Sequence, residues 1–304
     1  MKVFLTGATG YIGSAVAEQL KAAGHQVIGL ARSDVAAKRL STAGVDVHHG
    51  DLADHASLQA AARRADAVIH AGFAEGVDYG TAIELDRRAV DALLDALADS
   101  GKPFIYTSGI WLYGDTGSTQ VDEMTTPTPA DWGAWRWQIE QVVLAAATRG
   151  VRTVTLRPAI VYGRGGSVVL QLLIAAAQQM GAAGYVGTGD NISPFTYIDD
   201  LADAYVRALE HAPAGAILNV VGPSVTMRQL AAAVAIASGL AGQTMSITLE
   251  QARQNIPPFA DALAANFNVS GTKTAALLGW HHTGPSVLDD LAPGSYRQTD
   301  SDGR

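Results

Sequence analysis

A glycine-rich bend near the N-terminus narrows the possible folds more than anything else in this chain. Thr6-Gly7-Ala8-Thr9-Gly10-Tyr11-Ile12-Gly13 stands between an apolar run, Lys2 to Thr6, and a segment of helical periodicity, Ser14 to Ala23. Gly7 permits a tight turn, Gly10 lets the backbone approach a pyrophosphate, and Gly13 allows close packing of helix on strand, with the helix N-terminus facing the anion. Thr9, Tyr11 and Ile12 belong to the same turn and are candidate contacts with it. Three glycines alone are a weak signal; their place at the first strand-to-helix turn of an alternating chain strengthens it.

The alternation continues. Strands are expected at Gln26 to Ala31, Val45 to His48, Ala67 to His70, Phe104 to Ser108, Val154 to Leu156 and Ile217 to Val220. Helices are expected at Val35 to Ala43, Ser57 to Arg64, Ile83 to Ala98 and Trp135 to Thr148. Strands this apolar, each separated by a helix, are what a parallel sheet covered on both faces demands, so the fold class is α/β, a Rossmann-type doubly wound parallel sheet. After about Tyr162 the rhythm loosens into glycine-rich stretches and the Pro257-Pro258 break. We expect a nucleotide-binding domain over 1–163 plus about 196–221, and a smaller substrate-binding lobe from 164–195 and 222–304. Asp199-Asp200 is expected to cap a helix from Leu201 to Glu210.

Composition excludes several classes of function. With no cysteine in 304 residues there is no thiol nucleophile, disulfide or zinc–cysteinate site. The net charge of −8 and the lack of a Lys/Arg cluster argue against nucleic acid. His48-His49 and His281-His282 lack metal-ligand spacing, so no metal is expected. Gly-x-Ser-x-Gly is absent. The N-terminal apolar run is too short for a signal peptide and no stretch suits a bilayer, which reads as a cytoplasmic protein without a membrane partner.

The second strand ends at Leu30-Ala31-Arg32-Ser33, where an Asp or Glu would bond the ribose hydroxyls of NAD. A missing carboxylate together with Arg32 suits a 2′-phosphate, because a guanidinium pairs bidentately with phosphate. Arg32 and Ser33 are therefore candidate contacts, and NADP is expected over NAD. In the alternative reading Arg32 is a solvated loop residue and Asp34 meets the ribose.

The glycine turn, Gly50-Asp51-Leu52, Val68-Ile69-His70-Ala71, Tyr106-Thr107-Ser108, Arg157-Pro158 with Val161-Tyr162-Gly163, and Tyr197 to Ala202 occur in the order of an extended short-chain dehydrogenase/reductase. Over nearly the whole chain the sequence resembles the NAD-dependent epimerase/dehydratase group. The resemblance implies that Asp51 and Leu52 flank adenine, that Ala71, Gly72 and Phe73 line the adenosine and pyrophosphate side, and that Pro158, Ala159 and Ile160 meet the nicotinamide. Asp86 stands where that group usually has Asn.

The group's proton-transfer machinery, a Ser or Thr with Tyr-x-x-x-Lys, is missing. The lysines are Lys2, Lys21, Lys38, Lys102 and Lys273, and none follows a tyrosine by four. Alignment puts Trp132 at the tyrosine, Arg136 at the lysine and Gly109 at the usual Ser or Thr, with Ser108 just before it. Indole has only an N–H donor, so Trp132 cannot be the acid. Arg136 can hold ribose hydroxyls but stays charged. Ser108, Tyr113 and Tyr162 are the candidate stand-ins; for either tyrosine a buried aromatic with a satisfied hydroxyl is an equal reading.

Trp111, Trp132, Trp135 and Trp137 gather around the expected nicotinamide face, which suits a hydrophobic substrate better than a nucleotide-sugar; part of the cluster would equally suit an interface. The expected activity is NADP-dependent hydride transfer to or from a small hydrophobic carbonyl, alcohol or imine. An epimerase or dehydratase with tightly bound NAD(P), or a redox-silent NADP sensor, are the alternatives. By the same resemblance the helices at 83–98 and 135–148 would form a homodimer interface; the other reading packs each on its own sheet.

Overall fold

The apolar runs become strands buried on both faces. In order along the chain they are β1 (Lys2–Thr6), β2 (Gln26–Ala31), β3 (Asp46–His49), β4 (Ala67–His70), β5 (Pro103–Thr107) and β6 (Arg152–Pro158). The helices between them are α1 (Tyr11–Ala22), α2 (Asp34–Thr42), α3 (His55–Arg64), α4 (Tyr79–Leu97) and α5 (Asp131–Ala145). Further along come β7 (Ile160–Tyr162), α6 (Val168–Met180), β8 (Ala183–Val186), β9 (Ile192–Tyr197), α7 (Ile198–His211), β10 (Ala216–Val220), β11 (Ser224–Thr226), α8 (Met227–Ala237) and β12 (Thr244–Ile247), followed by four short helices. This computed structural model describes residues 1–74, 76–257, 259–292 and 294–296, and the backbone but not the side chain of Trp132.

Seven strands form one sheet in the order β10-β6-β5-β4-β1-β2-β3. All its pairings are parallel, with Val3 opposite Val27 on one side and Ala67 on the other. The order reverses between β1 and β4, and a crevice at the carboxyl ends of the strands is the ligand position such a reversal creates. One core joins Val3, Leu5, Val16 and Leu20 to Ile198, Leu201 and Tyr205 of α7; another joins Phe4, Leu58 and Phe104 to α4. A separate cluster gathers α6, α8 and the small sheets β11-β9-β7 and β12-β8.

Several expected boundaries move for local reasons. The first helix begins at Tyr11 rather than Ser14, directly after Gly10 as its N-cap. The helix expected from Ile83 begins at Tyr79 because Asp78 accepts from the Thr81 N–H at 3.0 Å and caps it. Asp199 and Asp200 lie inside the first turn of α7, whose N-cap is Tyr197. Asp200 is no cap: its carboxylate accepts from the N–H groups of Thr283 and Gly284 and from the Thr283 hydroxyl, pinning the C-terminal segment. The apolar stripe of α4 is spent within the chain, since Ala89, Val90, Leu93, Leu94 and Leu97 are buried in its own core and Glu84, Arg87, Arg88 and Asp91 form ion pairs on the outward side. Truncating one of these leucines to Ala would cost about 2–5 kcal/mol. No described helix is long and apolar enough to cross a membrane.

Candidate active site

The crevice opens into a cavity of about 460 Å³, within the range of small-molecule sites. One wall is the glycine turn. Gly7 has φ +72, and a Cβ there would meet the Ala71 carbonyl, so the loop after β4 lies directly against the turn. A Cβ on Gly13 would collide with the Gly7 carbonyl, and one on Gly10 would press on the same oxygen less severely, at 3.2 Å. The first turn of α1 carries no acidic residue and no side-chain cap, leaving its backbone N–H groups and positive end free of internal compensation. At Gly7 and Gly13 only glycine fits this cradle, an anion suits it, and a dinucleotide diphosphate is compatible with it.

Tyr11, Ile12, Ala71, Gly72, Phe73, Asp86, Ser108, Arg136, Pro158, Ala159 and Ile160 all line the cavity. The Tyr11 hydroxyl donates to the Gly163 carbonyl at 2.8 Å. Arg136 donates to the Thr107 carbonyl at 2.8 Å and stacks on Trp135, 4.2 Å from the ring centroid. Ser108 is 6% exposed, and its hydroxyl has no hydrogen-bond partner among the described residues. A buried, unpaired hydroxyl costs about 1–3 kcal/mol unless a ligand satisfies it.

The aromatic wall comes from five residues in different segments. Phe73 lies against Trp135 and Tyr79, with ring centroids 5.6 and 6.0 Å away, and the Trp135 indole N–H donates to the Tyr79 hydroxyl at 3.2 Å. Trp111 lies 5.6 Å from Phe259. Arg136 is the only Lys or Arg lining the cavity among the described residues. His70, Tyr79, Thr107, Val168, Val169 and Phe259 also line it, and no role for them is legible in the sequence; for Phe259 no local signal exists, because it arrives from a distant turn ahead of a short helix.

Other candidates lie elsewhere. Thr9 borders a separate groove between α1 and α2. Arg32 and Ser33 sit at the tip of β2, where Ser33 caps α2 by accepting from the Ala36 N–H at 3.2 Å. Asp51 accepts from the Ala53 N–H at 2.9 Å, in the turn after β3 beside Leu52. Two catalytic expectations are corrected by geometry. The Tyr113 hydroxyl donates to the Asp122 carbonyl and Asn219 and accepts from Arg157 at 2.7 Å, outside the cavity. The Tyr162 hydroxyl donates to the Pro285 carbonyl, and Tyr162 does not line the cavity. The Trp132 side chain lies outside the described residues. Trp137 packs near Arg157 rather than lining the cavity. Burial pushes the phenols of Tyr11, Tyr106, Tyr113 and Tyr162 up from the ordinary range, so none is activated as an acid near neutral pH.

Beneath the cavity, Arg157 donates to both carboxylate oxygens of Glu140, closest at 2.6 Å, and both side chains are essentially inaccessible to solvent. This pair ties α5, which carries Arg136, to β6. Among the described residues no group of three or more His, Asp or Glu gathers as a metal site.

A sequence model of the NAD dependent epimerase/dehydratase family matches residues 3–221. An uncharacterized protein of Schizosaccharomyces pombe is 32% identical over 97% of this chain and 100% of its own length. A 2-alkyl-3-oxoalkanoate reductase of Stenotrophomonas maltophilia is 31% identical over 71% of this chain and 67% of its own. A dTDP-glucose 4,6-dehydratase of Streptomyces venezuelae, solved with NAD bound, superposes with a TM-score of 0.79 at 22% identity, covering 98% of this chain and 97% of that one.

Proposed function

Because the chain belongs to the NAD dependent epimerase/dehydratase family, we propose that it is an NADP-dependent reductase of hydrophobic ketones. The observation that carries this reading is the cavity itself: aromatic walls and, among the described residues, one guanidinium and a buried hydroxyl with no hydrogen-bond partner. A nucleotide-sugar would bring a diphosphate needing further cations, and Arg136 alone is a poor match for it. The relative from Stenotrophomonas maltophilia, named for reducing an alkyl-substituted oxo acid, supports the same substrate class.

NADPH, held along the glycine turn with its 2′-phosphate toward Arg32, would supply the hydride. Ser108 donates a hydrogen bond to the carbonyl oxygen; as hydride reaches the carbonyl carbon this proton passes to the oxygen to complete the alcohol, and Ser108 regains a proton from solvent when the product leaves. Arg136, fixed by the Thr107 carbonyl and by Trp135, stabilises negative charge on that oxygen without transferring a proton. Phe73, Trp111, Trp135 and Phe259 exclude water from the reacting face and accommodate an apolar chain.

Loss of NADPH absorbance with a panel of medium-chain ketones tests the proposal, and net turnover is the expected result. Tight binding without turnover would favour a sensor, and conversion of nucleotide-sugars without net coenzyme use an epimerase. Arg32→Asp is expected to weaken NADPH binding far more than NADH binding; equal loss would remove the 2′-phosphate assignment.

A further inference from the structure

Four buried side chains at the floor of the cavity form a hydrogen-bonded chain that the proposed chemistry leaves unused. Thr6 ends β1, His70 ends β4, Asp86 lies on α4 and Tyr106 on β5, and none exceeds 3% exposure. His70 Nε2 meets Asp86 Oδ1 at 3.0 Å, and the Tyr106 hydroxyl donates to Asp86 Oδ2 at 3.0 Å. His70 Nδ1 meets Thr6 Oγ1 at 2.8 Å, and Thr6 Oγ1 accepts from the Gly72 N–H at 3.1 Å.

Donor and acceptor rules leave one consistent assignment. A carboxylate only accepts, so His70 Nε2 carries its proton toward Asp86. Nδ1 is then bare and accepts from the Thr6 hydroxyl, whose oxygen takes the Gly72 N–H. A doubly protonated ring would leave the Thr6 proton without an acceptor among the described residues. Burial and the Asp86 charge push the Tyr106 phenol well up, so Tyr106 remains a donor. Every polar atom of the chain is satisfied with a neutral His70 and an ionised Asp86.

The chain also reaches both gripping loops. Thr6 directly precedes the glycine turn, and Gly72 lies in the loop that touches it. The His70 carbonyl accepts from the Thr107 hydroxyl at 2.8 Å, and the Thr107 carbonyl accepts from Arg136. A polar belt therefore crosses the carboxyl ends of β1, β4 and β5.

We propose that Thr6, His70, Asp86 and Tyr106 are positioning residues that lock the Ala71–Phe73 loop against the glycine turn and thereby set affinity for the nicotinamide dinucleotide. The inference rests on the coenzyme reading above. Such supporting hydrogen bonds orient the groups that touch a ligand, and losing one typically costs about tenfold in affinity.

NADPH titration, followed by nicotinamide fluorescence, is the test. Thr6→Val, close in shape but without the hydroxyl, is expected to raise the dissociation constant about tenfold, and Thr6→Ser to restore wild-type binding. Asp86→Asn, whose single carbonyl oxygen can accept from His70 or from Tyr106 but not from both, is expected to weaken binding similarly. A wild-type chain that binds neither NADPH nor NADH would sink the coenzyme reading; a wild-type chain that binds while Thr6→Val binds equally well would sink this inference alone. Should Thr6→Val fail to fold, nitrogen NMR of histidine-labelled wild-type protein decides: a protonated Nε2 with a bare Nδ1 on His70 supports the lock, and the opposite tautomer or a doubly protonated ring at neutral pH overturns it.

Discussion

Along the glycine turn the cavity wall is made of nearly consecutive residues acting through their backbone, whereas the facing wall is assembled from side chains at Trp111, Trp135, Val168 and Phe259, drawn from separate elements. The first wall is rigid because a side chain would collide there and because the Thr6–His70–Asp86–Tyr106 chain is fully satisfied. The second holds an unpaired hydroxyl and a guanidinium stacked on an indole. A wall built from backbone geometry suits a ligand common to a whole family; one built from scattered side chains can change substrate without disturbing the other.

The largest expected effect concerns the support beneath the second wall. Glu140→Ala would leave Arg157 buried and unpaired, lowering stability by about 3–5 kcal/mol in denaturant titration. A loss well under that value would show that α5 is held by apolar packing alone.

Ser108→Ala is expected to lower kcat about 10²–10³-fold by removing a donor to the developing oxyanion. Stability should hold or rise slightly, because an unsatisfied hydroxyl disappears. If coenzyme affinity fell as far as turnover, the two walls would not be separable.

Gly13→Ala addresses the first wall. The new Cβ would press on the Gly7 carbonyl and force α1 away from the turn, at a cost of about 1–3 kcal/mol in stability and with weakened NADPH binding. Unchanged binding would mean that the turn does not grip the diphosphate.

The smallest effect lies outside both walls and serves as a control. Hydrogen bonds from Arg87 and Arg88 hold the Glu84 carboxyl down at about 2, below its ordinary 4.5. A carboxyl depressed on folding stabilises the chain above its unfolded value, and that contribution is lost as pH falls from about 4.5 through about 2. Glu84→Gln should slightly flatten the acid limb of thermal unfolding in that window and leave neutral pH almost unchanged, since exposed pairs contribute little. A change in coenzyme binding would contradict the separation of α4's outward side from the site.

Much of the first wall was legible in order along the chain. Gly7, Gly10 and Gly13 announced the turn, and the run of Val68, Ile69 and His70 announced a central strand. Ser108 was legible as a displaced hydroxyl, but its lack of a partner was not, since that depends on what Leu156 and Pro158 leave around it. Tyr113 and Tyr162 looked equivalent to Ser108 as candidates; Asn219, Arg157 and Pro285 decided otherwise from far along the chain. The apolar stripe of α4 was legible from its spacing; that Ala89, Val90, Leu93, Leu94 and Leu97 pack into the chain's own core was not.

Periodicity and glycine placement by themselves determined the layered α/β architecture and the glycine turn ahead of α1, because both arise from interactions between residues close in sequence. Which hydroxyl remains unpaired, which tyrosines are occupied and which aromatic rings face the cavity were decided only by the tertiary structure. Those properties depend on contacts between segments tens to hundreds of residues apart, and spacing along a chain carries no measure of such contacts.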